Sequence, residues 1–182
     1  MSLFNLPNLS TLYLNNNQLV GPLPNHVSGL NLIFLSFALN FIFLSFASNF
    51  LNRTLPSWLF SLPSLVELYI NGNQFIGEIG EIKSNSLEYL DLGYNKLQGS
   101  IPRSISRFVN LTYLSLSANN WSIILELEMI SKLKNLYRLD FSNNLVSINN
   151  NVTYTLPNLY DLNLSSSNIS EFPIFLRTAT NL

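Results

Sequence analysis

Leucine-type residues recur along this chain in a nine-residue pattern, LxxLxLxxN, in which most of the intervening positions are polar. Copies begin at Leu9, Leu32, Phe41, Leu65, Leu87, Leu111, Leu136 and Leu159. Most copies end 22 to 25 residues after the previous one, whereas the step from Asn40 to Asn49 is only nine residues long. A period of about 20 to 29 residues predicts a solenoid in which each turn carries one short strand and a return segment.

Alternation within each copy separates inward from outward side chains. In the LxL core of a strand, the two leucine-type residues point to one face and the residue between them to the other. Stacking the turns at about 4.8 Å pairs each strand with its neighbours in a parallel sheet and buries the leucine columns. We therefore predict an α/β fold, a right-handed leucine-rich repeat solenoid with a parallel β-sheet on its concave face.

The asparagine that closes most copies predicts a structural ladder. The turn after each strand contains backbone N–H and C=O groups that must be paired when they are buried. An asparagine amide carries both a donor and an acceptor, so stacked side chains can bond the turns of their own and the adjacent repeat. This role is predicted for Asn17, Asn49, Asn73, Asn95, Asn119 and Asn144.

A Gly-x-apolar-Pro element follows several of these asparagines. It reads GPLP from Gly21 and GSIP from Gly99, with weaker forms RTLP from Arg53 and GEIG from Gly77. Glycine permits a tight bend of the backbone, and proline ends a second extended segment. The element is typical of the plant-specific subclass of leucine-rich repeats.

The nine-residue step reflects a duplication, because IFLSFA occurs at 33–38 and again at 42–47. Nine residues are too few for a full turn, so one copy must bulge out of the coil, and the sequence leaves open which copy keeps the register.

The apolar stretch 30–51 approaches the length of a membrane helix, but its asparagines fall at repeat positions and favour repeat core. We expect residues 1–182 to form one solenoid of about seven repeats without caps, with the duplication at 32–49 as its least stable place.

Composition removes several classes of function. The net charge is −1 and no Lys or Arg cluster is present to neutralise phosphates, so a nucleic-acid partner is not expected. The chain has no cysteine and a single histidine, His26, which excludes disulfides and a Cys or His metal cluster. Asp140 and Asp161 could approach within about 5 Å on neighbouring strands, but an open sheet offers no cleft to raise one carboxyl pKa. We therefore predict no metal, no cofactor and no enzymatic activity.

The residues between the buried leucines are predicted to form a ligand-binding surface on the concave face. Tyrosines beside carboxylates and an arginine are typical of binding patches, because aromatic rings bury area at low entropic cost and charges set specificity. The alternative is that tyrosine simply suits a strand and fills the surface. The candidate contact residues are Tyr13, Glu67, Tyr69, Tyr89, Asp91, Tyr113, Arg138, Asp140 and Asp161.

Glycosylation sequons point to the secretory pathway. Seven N-x-S/T sequons are present, and glycans would help to solubilise a surface so poor in charge. The N-terminal residues nevertheless show no basic region followed by an uninterrupted apolar stretch, so no secretion signal is visible. The candidate glycosylation sites are Asn8, Asn52, Asn110, Asn120, Asn151, Asn163 and Asn168.

Longer phrases carry a more specific resemblance. LPSWLFSLPSL from Leu55, SLEYLDLGYNKLQGSIP from Ser86, SKLKNLYRLDFSNN from Ser131 and LNLSSSNISEFPIFLR from Leu162 resemble the ectodomain of plant receptor-like proteins, kinase-less membrane receptors associated with disease resistance. The resemblance implies a protein or peptide ligand and a co-receptor kinase, at the extracellular side of the plasma membrane. It also implies a signal peptide, Cys-containing caps and a membrane helix, none of which this sequence shows, so membrane contact is expected only through other parts of a full-length receptor.

Two alternatives to a receptor remain open. A secreted inhibitor of cell-wall-degrading enzymes would use similar repeats, but it should be capped by disulfides. A truncated gene product without an independent function would account for the missing caps, the missing signal and the duplication.

Overall fold

Two parallel sheets extend through the described part of the chain. The computed structural model describes residues 10–25, 42–125, 127–148, 155–178 and 181. The main sheet contains, in spatial order, β1 (Thr11–Tyr13), β3 (Ile42–Ser45), β5 (Leu65–Tyr69), β7 (Tyr89–Asp91), β9 (Tyr113–Ser115), β11 (Arg138–Asp140) and β13 (Asp161–Asn163). Neighbouring strands in this order pair in parallel, and β1 and β13 form the edges of the described sheet. This order confirms the predicted leucine-rich repeat solenoid.

The second sheet, which we call the flank sheet, forms where the chain leaves the main sheet. It contains β2 (Val20–Gly21), β4 (Phe50–Thr54), β6 (Gln74–Gly77), β8 (Lys96–Gly99), β10 (Asn120–Leu125) and β12 (Leu145–Ile148). The return segments contain 3-10 helices at Ser57–Ser61, Arg103–Arg107 and Ile174–Thr178 and one short helix, α1, at Leu127–Ile130. No helix in the described ranges is long and apolar enough to cross a membrane.

The core consists of stacked apolar columns beneath the main sheet. The central leucines of the strands, Leu44, Leu68, Leu90, Leu114 and Leu139, are at most 3% exposed. Burying each of these side chains contributes roughly 1.5 to 3 kcal/mol. Because each repeat contacts mainly its neighbours, the stability of the solenoid is close to a sum over turns.

A left-handed residue turns the chain from the main sheet into the flank sheet. In each turn it immediately precedes the ladder asparagine, and its φ lies between 47° and 66° at Asn16, Ser48, Gly72, Tyr94, Ala118 and Asn143. This conformation costs a residue other than glycine roughly 1 to 2 kcal/mol, so the surrounding hydrogen bonds must hold it in place. Arg53 has a φ of 72° where other repeats place a glycine, such as Gly77 at 80°.

The second copy of the duplicated sequence supplies a strand of the main sheet. β3 pairs with β1 on one side and with β5 on the other, with a register shift between Ile42 and Phe43. Asn49, at the end of this copy, donates from Nδ2 to the Leu14 carbonyl at 2.9 Å. The first copy, at 32–40, lies outside the described residues, as do His26, Asn8 and Asn151.

Candidate functional site

Three columns of side chains cover the open face of the main sheet, which is the face turned away from the core. The strand register defines column one as Thr11, Phe43, Glu67, Tyr89, Tyr113, Arg138 and Asp161. Column two contains Tyr13, Ser45, Tyr69, Asp91, Ser115, Asp140 and Asn163. Column three follows two residues later with Asn15, Ala47, Asn71, Gly93, Ser117, Ser142 and Ser165. All nine predicted contact residues lie in columns one and two.

Three tyrosines stack on one another across neighbouring strands. The ring centroids of Tyr69 and Tyr89 are 4.5 Å apart, and those of Tyr89 and Tyr113 are 4.0 Å apart with only 4° between the ring planes. Tyr89 and Tyr113 are partners in register, so the spacing of about 4.8 Å between strands brings their rings together. Tyr69 lies in the next column, and its ring is tilted by 31° against that of Tyr89. All three side chains are half-buried. We call this feature the tyrosine stack.

Charged residues close both ends of the tyrosine stack. The Tyr69 hydroxyl donates to Glu67 Oε2 at 2.9 Å. At the other end, Arg138 Cζ lies 5.6 Å from the centre of the Tyr113 ring, within the range of a cation–π contact. Arg138 Nε also lies 3.2 Å from Asp161 Oδ2. Both partners of this ion pair are well exposed, so it orients Arg138 more than it stabilises the fold.

The three tyrosine hydroxyls are held in the protonated form. Burial raises the pKa of Tyr69, and its hydrogen bond to Glu67 raises it further. Burial also raises the pKa of Tyr89, and the hydrogen bond with Tyr113 adds to the effect. The pKa of Tyr113 is raised by burial as well. Each hydroxyl can therefore both donate and accept a hydrogen bond at neutral pH.

The aspartates of column two accept hydrogen bonds from the turns that follow their own strands. The Gly93 N–H donates to Asp91 Oδ1 at 3.0 Å, and the Ser142 N–H and hydroxyl donate to Asp140 Oδ1 at 2.9 Å and 2.7 Å. Asn163 accepts the same pair of bonds from Ser165. Asp140 is buried, so its main role is to hold the turn.

The structure does not form the carboxylate pair considered from the sequence. Asp140 lies opposite Asn163 in column two, whereas Asp161 lies opposite Arg138 in column one. Asp161 and Asn163 both lie on the open face of β13, but only Asn163 is the cross-strand partner of Asp140. Asp161 has a guanidinium partner, so the two carboxylates do not face each other as a catalytic pair.

The ladder asparagines join each turn to the preceding one. Asn95 Nδ2 donates to the carbonyls of Ile70, Leu92 and Gly93 at 3.0 to 3.1 Å, while its Oδ1 accepts from the Phe75 N–H at 3.0 Å. The same pattern of three acceptors and one donor recurs at Asn49, Asn73 and Asn119. Asn144 also donates to three carbonyls, while its Oδ1 accepts from the N–H groups of Asn119 and Trp121. Asn17 is exposed and donates to two carbonyls of its own turn.

A second amide ladder was missed from the sequence. Asn135 Nδ2 donates to the Val109 carbonyl at 3.0 Å, Asn158 Nδ2 donates to the Lys134 carbonyl at 2.8 Å, and Asn181 donates to the Pro157 carbonyl. Each of these asparagines immediately precedes a leucine that is spaced like the first leucine of a repeat. That recurrent Asn-Leu pair was the available signal.

A second aromatic pair was also missed. The rings of Tyr137 and Tyr160 stack at 5.0 Å with 7° between their planes, just before strands β11 and β13. Both side chains are exposed. A shallow groove runs between this pair and the tyrosine stack, and Tyr113 and Arg138 are among its lining residues.

The candidate glycosylation sites fall on different surfaces. Asn110, Asn120 and Asn168 are exposed, and Asn52 is half-buried in the flank sheet. Asn163 lies in column two of the open face, where its Oδ1 already accepts from Ser165. A glycan on Asn163 would therefore stand on the open face itself.

Comparisons with known proteins agree with this architecture. Leucine rich repeat profiles match residues 82–120 and residues 8–30. Receptor like protein 24 of Arabidopsis thaliana is 38% identical over 98% of the chain, although the chain spans only 20% of the length of that relative. The structure is similar to the plant peptide hormone receptor RGFR1 in complex with RGF2, with a TM-score of 0.74, 25% identity, and coverage of 88% of this chain and 25% of that one.

A second solved structure covers more of the chain. It is the Arabidopsis receptor kinase HAESA in complex with the peptide hormone IDA and the co-receptor SERK1, with a TM-score of 0.68 and 25% identity. The similarity covers 98% of this chain and 30% of HAESA. The fold and these matches define the class as a plant leucine-rich repeat protein. Within that class the chain belongs with the receptor-like proteins, of which it matches a segment.

Proposed function

We propose that the chain is a non-catalytic recognition module that binds an extended peptide across the open face of the main sheet. The observation that carries the proposal is the tyrosine stack, closed by Glu67 at one end and by Arg138 at the other. Half-buried aromatic rings offer large contact area with little rotamer entropy to lose, which is the usual composition of an interface hot spot.

The shape of the open face favours an extended ligand. Column three carries Ala, Gly, Ser and Asn side chains in the described repeats, all shorter than tyrosine, so it forms a trough beside the tyrosines. The Ser and Asn groups of this trough and the tyrosine hydroxyls can pair with the backbone of a peptide, which must find new hydrogen-bond partners when it loses water. Two receptor structures similar to this chain, those of RGFR1 and HAESA, were solved with peptide hormones, which supports the same ligand class.

The setting of this activity is a cell-surface receptor. We infer that the chain acts at the extracellular side of the plasma membrane, in defence or developmental signalling, within a receptor-like protein. A co-receptor kinase is the second partner in this proposal, by analogy with the HAESA complex that contains SERK1. Membrane attachment would come from other parts of such a receptor.

The proposal is tested by selecting peptides on the chain and measuring how they bind to variants. A library of random linear peptides is displayed, and binders enriched on the 182-residue chain are titrated against the double variant Tyr89→Ser, Tyr113→Ser. We expect Kd to rise by about tenfold or more, because the variant removes two adjacent rings from the contact surface.

The matched control is Tyr94→Ser, which removes an exposed tyrosine from a turn outside the open face. Its Kd should equal that of the parent chain. Equal losses in the two variants would overturn the proposal, and so would enrichment of peptides whose binding the double variant does not weaken.

A further inference from the structure

We propose that a pocket at the Tyr69 end of the tyrosine stack, which we call the cation pocket, receives one arginine side chain of the bound peptide. This inference rests on the proposed peptide-binding function and names the chemistry that would recognise the ligand. The residues of the pocket that carry the argument are Tyr13, Glu67, Tyr69, Asn71 and Asp91.

Two carboxylates and two aromatic rings line the cation pocket, and none of its lining residues is basic. Glu67 lies in column one and Asp91 in column two, on adjacent strands. Tyr13 is 60% exposed, so much of its surface remains accessible to a ligand. Carboxylates attract a cation through charge, and a tyrosine ring attracts it through the negative potential of its face.

The charge of the open face is not balanced near the cation pocket. Among the described residues of the three columns, the acidic ones are Glu67, Asp91, Asp140 and Asp161, and the basic one is Arg138. Arg138 already pairs with Asp161, more than one strand away from the pocket. The charge of Arg138 acts on Asp91 only from a distance, and no basic residue lines the pocket, so a positively charged ligand group would provide a close partner.

Burial disfavours the charged form of Asp91, and a bound cation would offset this effect. Its pKa is raised because the surrounding side chains exclude water, although the hydrogen bond from the Gly93 N–H acts in the opposite direction. A guanidinium beside the carboxylate would favour its charged form. Binding of a cation and ionisation of Asp91 should therefore support each other.

A buried acceptor in the pocket lining supplies an independent indication. Asn71 Oδ1 is buried and has no hydrogen-bond partner among the described residues. Such an atom is uncommon in folded proteins, since a buried acceptor loses its bond to water. Asn71 lines the pocket, so a small rotation of its amide would let this oxygen accept from a donor in the ligand.

Arginine fits this set of groups better than lysine does. Its planar guanidinium presents five donors, stacks on an aromatic ring and pairs with a carboxylate through two bonds at once. The pocket offers acceptors in two carboxylates and one amide beside tyrosine rings. A metal ion is a poorer fit, because no group of three or more acidic or histidine ligands occurs in the described ranges.

The test uses a capped pentapeptide, acetyl-Gly-Ser-Arg-Ser-Gly-amide, and the same peptide with citrulline in place of arginine. Citrulline has nearly the same shape as arginine and no charge. Each peptide is titrated into the isotope-labelled 182-residue chain while NMR follows the Asn71 side-chain amide and the Tyr69 ring. We expect saturable shifts with the arginine peptide and none with citrulline; equal responses, or no response to either, would overturn the inference.

Charge-removing variants localise the effect. Glu67→Gln and Asp91→Asn should each weaken binding of the arginine peptide by about tenfold, because each removes a charge-assisted hydrogen bond. Glu78→Gln is the matched control, since it removes an exposed carboxylate outside the open face. Losses shared equally by all three variants would indicate a general effect of charge and would contradict the cation pocket.

Stability separates loss of binding from loss of fold. The raised pKa of Asp91 means that its charged form is disfavoured in the folded chain, so Asp91→Asn should unfold at a higher urea concentration than the parent at pH 7. Asn163 shows that an amide can accept the same turn bond. The advantage of the variant should shrink as pH falls through the raised pKa of Asp91, because the parent then takes up a proton in the folded state.

The peptide selection distinguishes failure of this inference from failure of the proposed function. Enriched peptides that require Tyr89 and Tyr113 but contain no basic residue would support peptide binding and reject the cation pocket. Enriched peptides that share an arginine and lose affinity in Glu67→Gln would support both.

Discussion

At the scale of single residues, the ladder asparagines couple each repeat to the one before it. The buried Asn95 side chain donates to three carbonyls and accepts from the Phe75 N–H. These groups belong to two successive repeats, so one amide holds both the turn and the contact between turns. The same bonds help to keep the preceding residue, Tyr94, at its positive φ.

Removing one ladder amide should therefore cost far more than removing an exposed asparagine. We expect Asn95→Ala to lower the free energy of unfolding by about 3 kcal/mol or more, because the Phe75 N–H loses its acceptor and three carbonyls each lose one hydrogen bond. Asn17→Ala is the control, since Asn17 is exposed and bonds to its own turn, and its loss should stay below about 1 kcal/mol. Urea unfolding followed by circular dichroism measures both values, and similar losses would contradict a bridging role for the ladder.

Residue positions in the open face follow from the sequence, but their contacts do not. Alternation assigns Tyr89 and Tyr113 to one column, because strand geometry sends every second side chain to the same face. The stacking of their rings with Tyr69 depends on side-chain torsions and on the small offset between strands, which the repeat pattern does not specify. The sequence placed Asp140 among the contact residues because of its position in the repeat. Its hydrogen bonds with Ser142 are visible only in the structure.

At the scale of elements, the duplicated segment shows how the repeat tolerates extra sequence. The second copy provides β3, and the steps of the ladder on its C-terminal side continue at the normal period. Hydrophobic periodicity predicted both copies equally well, because they carry nearly the same residues. Either choice leaves one ladder step of normal length and one longer step, 23 and 33 residues for the first copy or 32 and 24 for the second, so the period does not decide between them.

Deleting residues 32–40 should restore a regular solenoid. The deletion brings Asn17 and Asn49 to a separation of 23 residues, which matches the other steps of the ladder. We expect the shortened chain to be more soluble and to unfold more cooperatively, because nine largely apolar residues that exceed one repeat are removed.

The control for this deletion removes a stretch of the same length that includes a regular strand, residues 87–95. That variant loses β7 and one ladder asparagine, so it should be less stable than the parent. Circular dichroism and light scattering compare the three chains. A shortened chain that loses β-structure or aggregates more than the parent would show that residues 32–40 contribute to the fold.

At the scale of the whole molecule, the main sheet has a buried face and an open face that differ in role. Leucine columns beneath the main sheet provide stability that accumulates turn by turn. Side chains on the open face do not pack in this core, so their identity can vary without loss of the fold. The period and the leucine positions therefore suffice to predict the solenoid. The identity of a ligand depends on a few side chains of the open face, whose arrangement no periodic pattern encodes.

The central claim is that ligands are recognised on the open face of the main sheet. The most direct test labels the eight tyrosines of the chain with ¹³C in their rings and records NMR spectra while a selected peptide is added. Recognition on the open face predicts shifts at Tyr69, Tyr89 and Tyr113 and none at Tyr94, which lies on a turn outside that face. Shifts at Tyr94 with an unchanged tyrosine stack would contradict it.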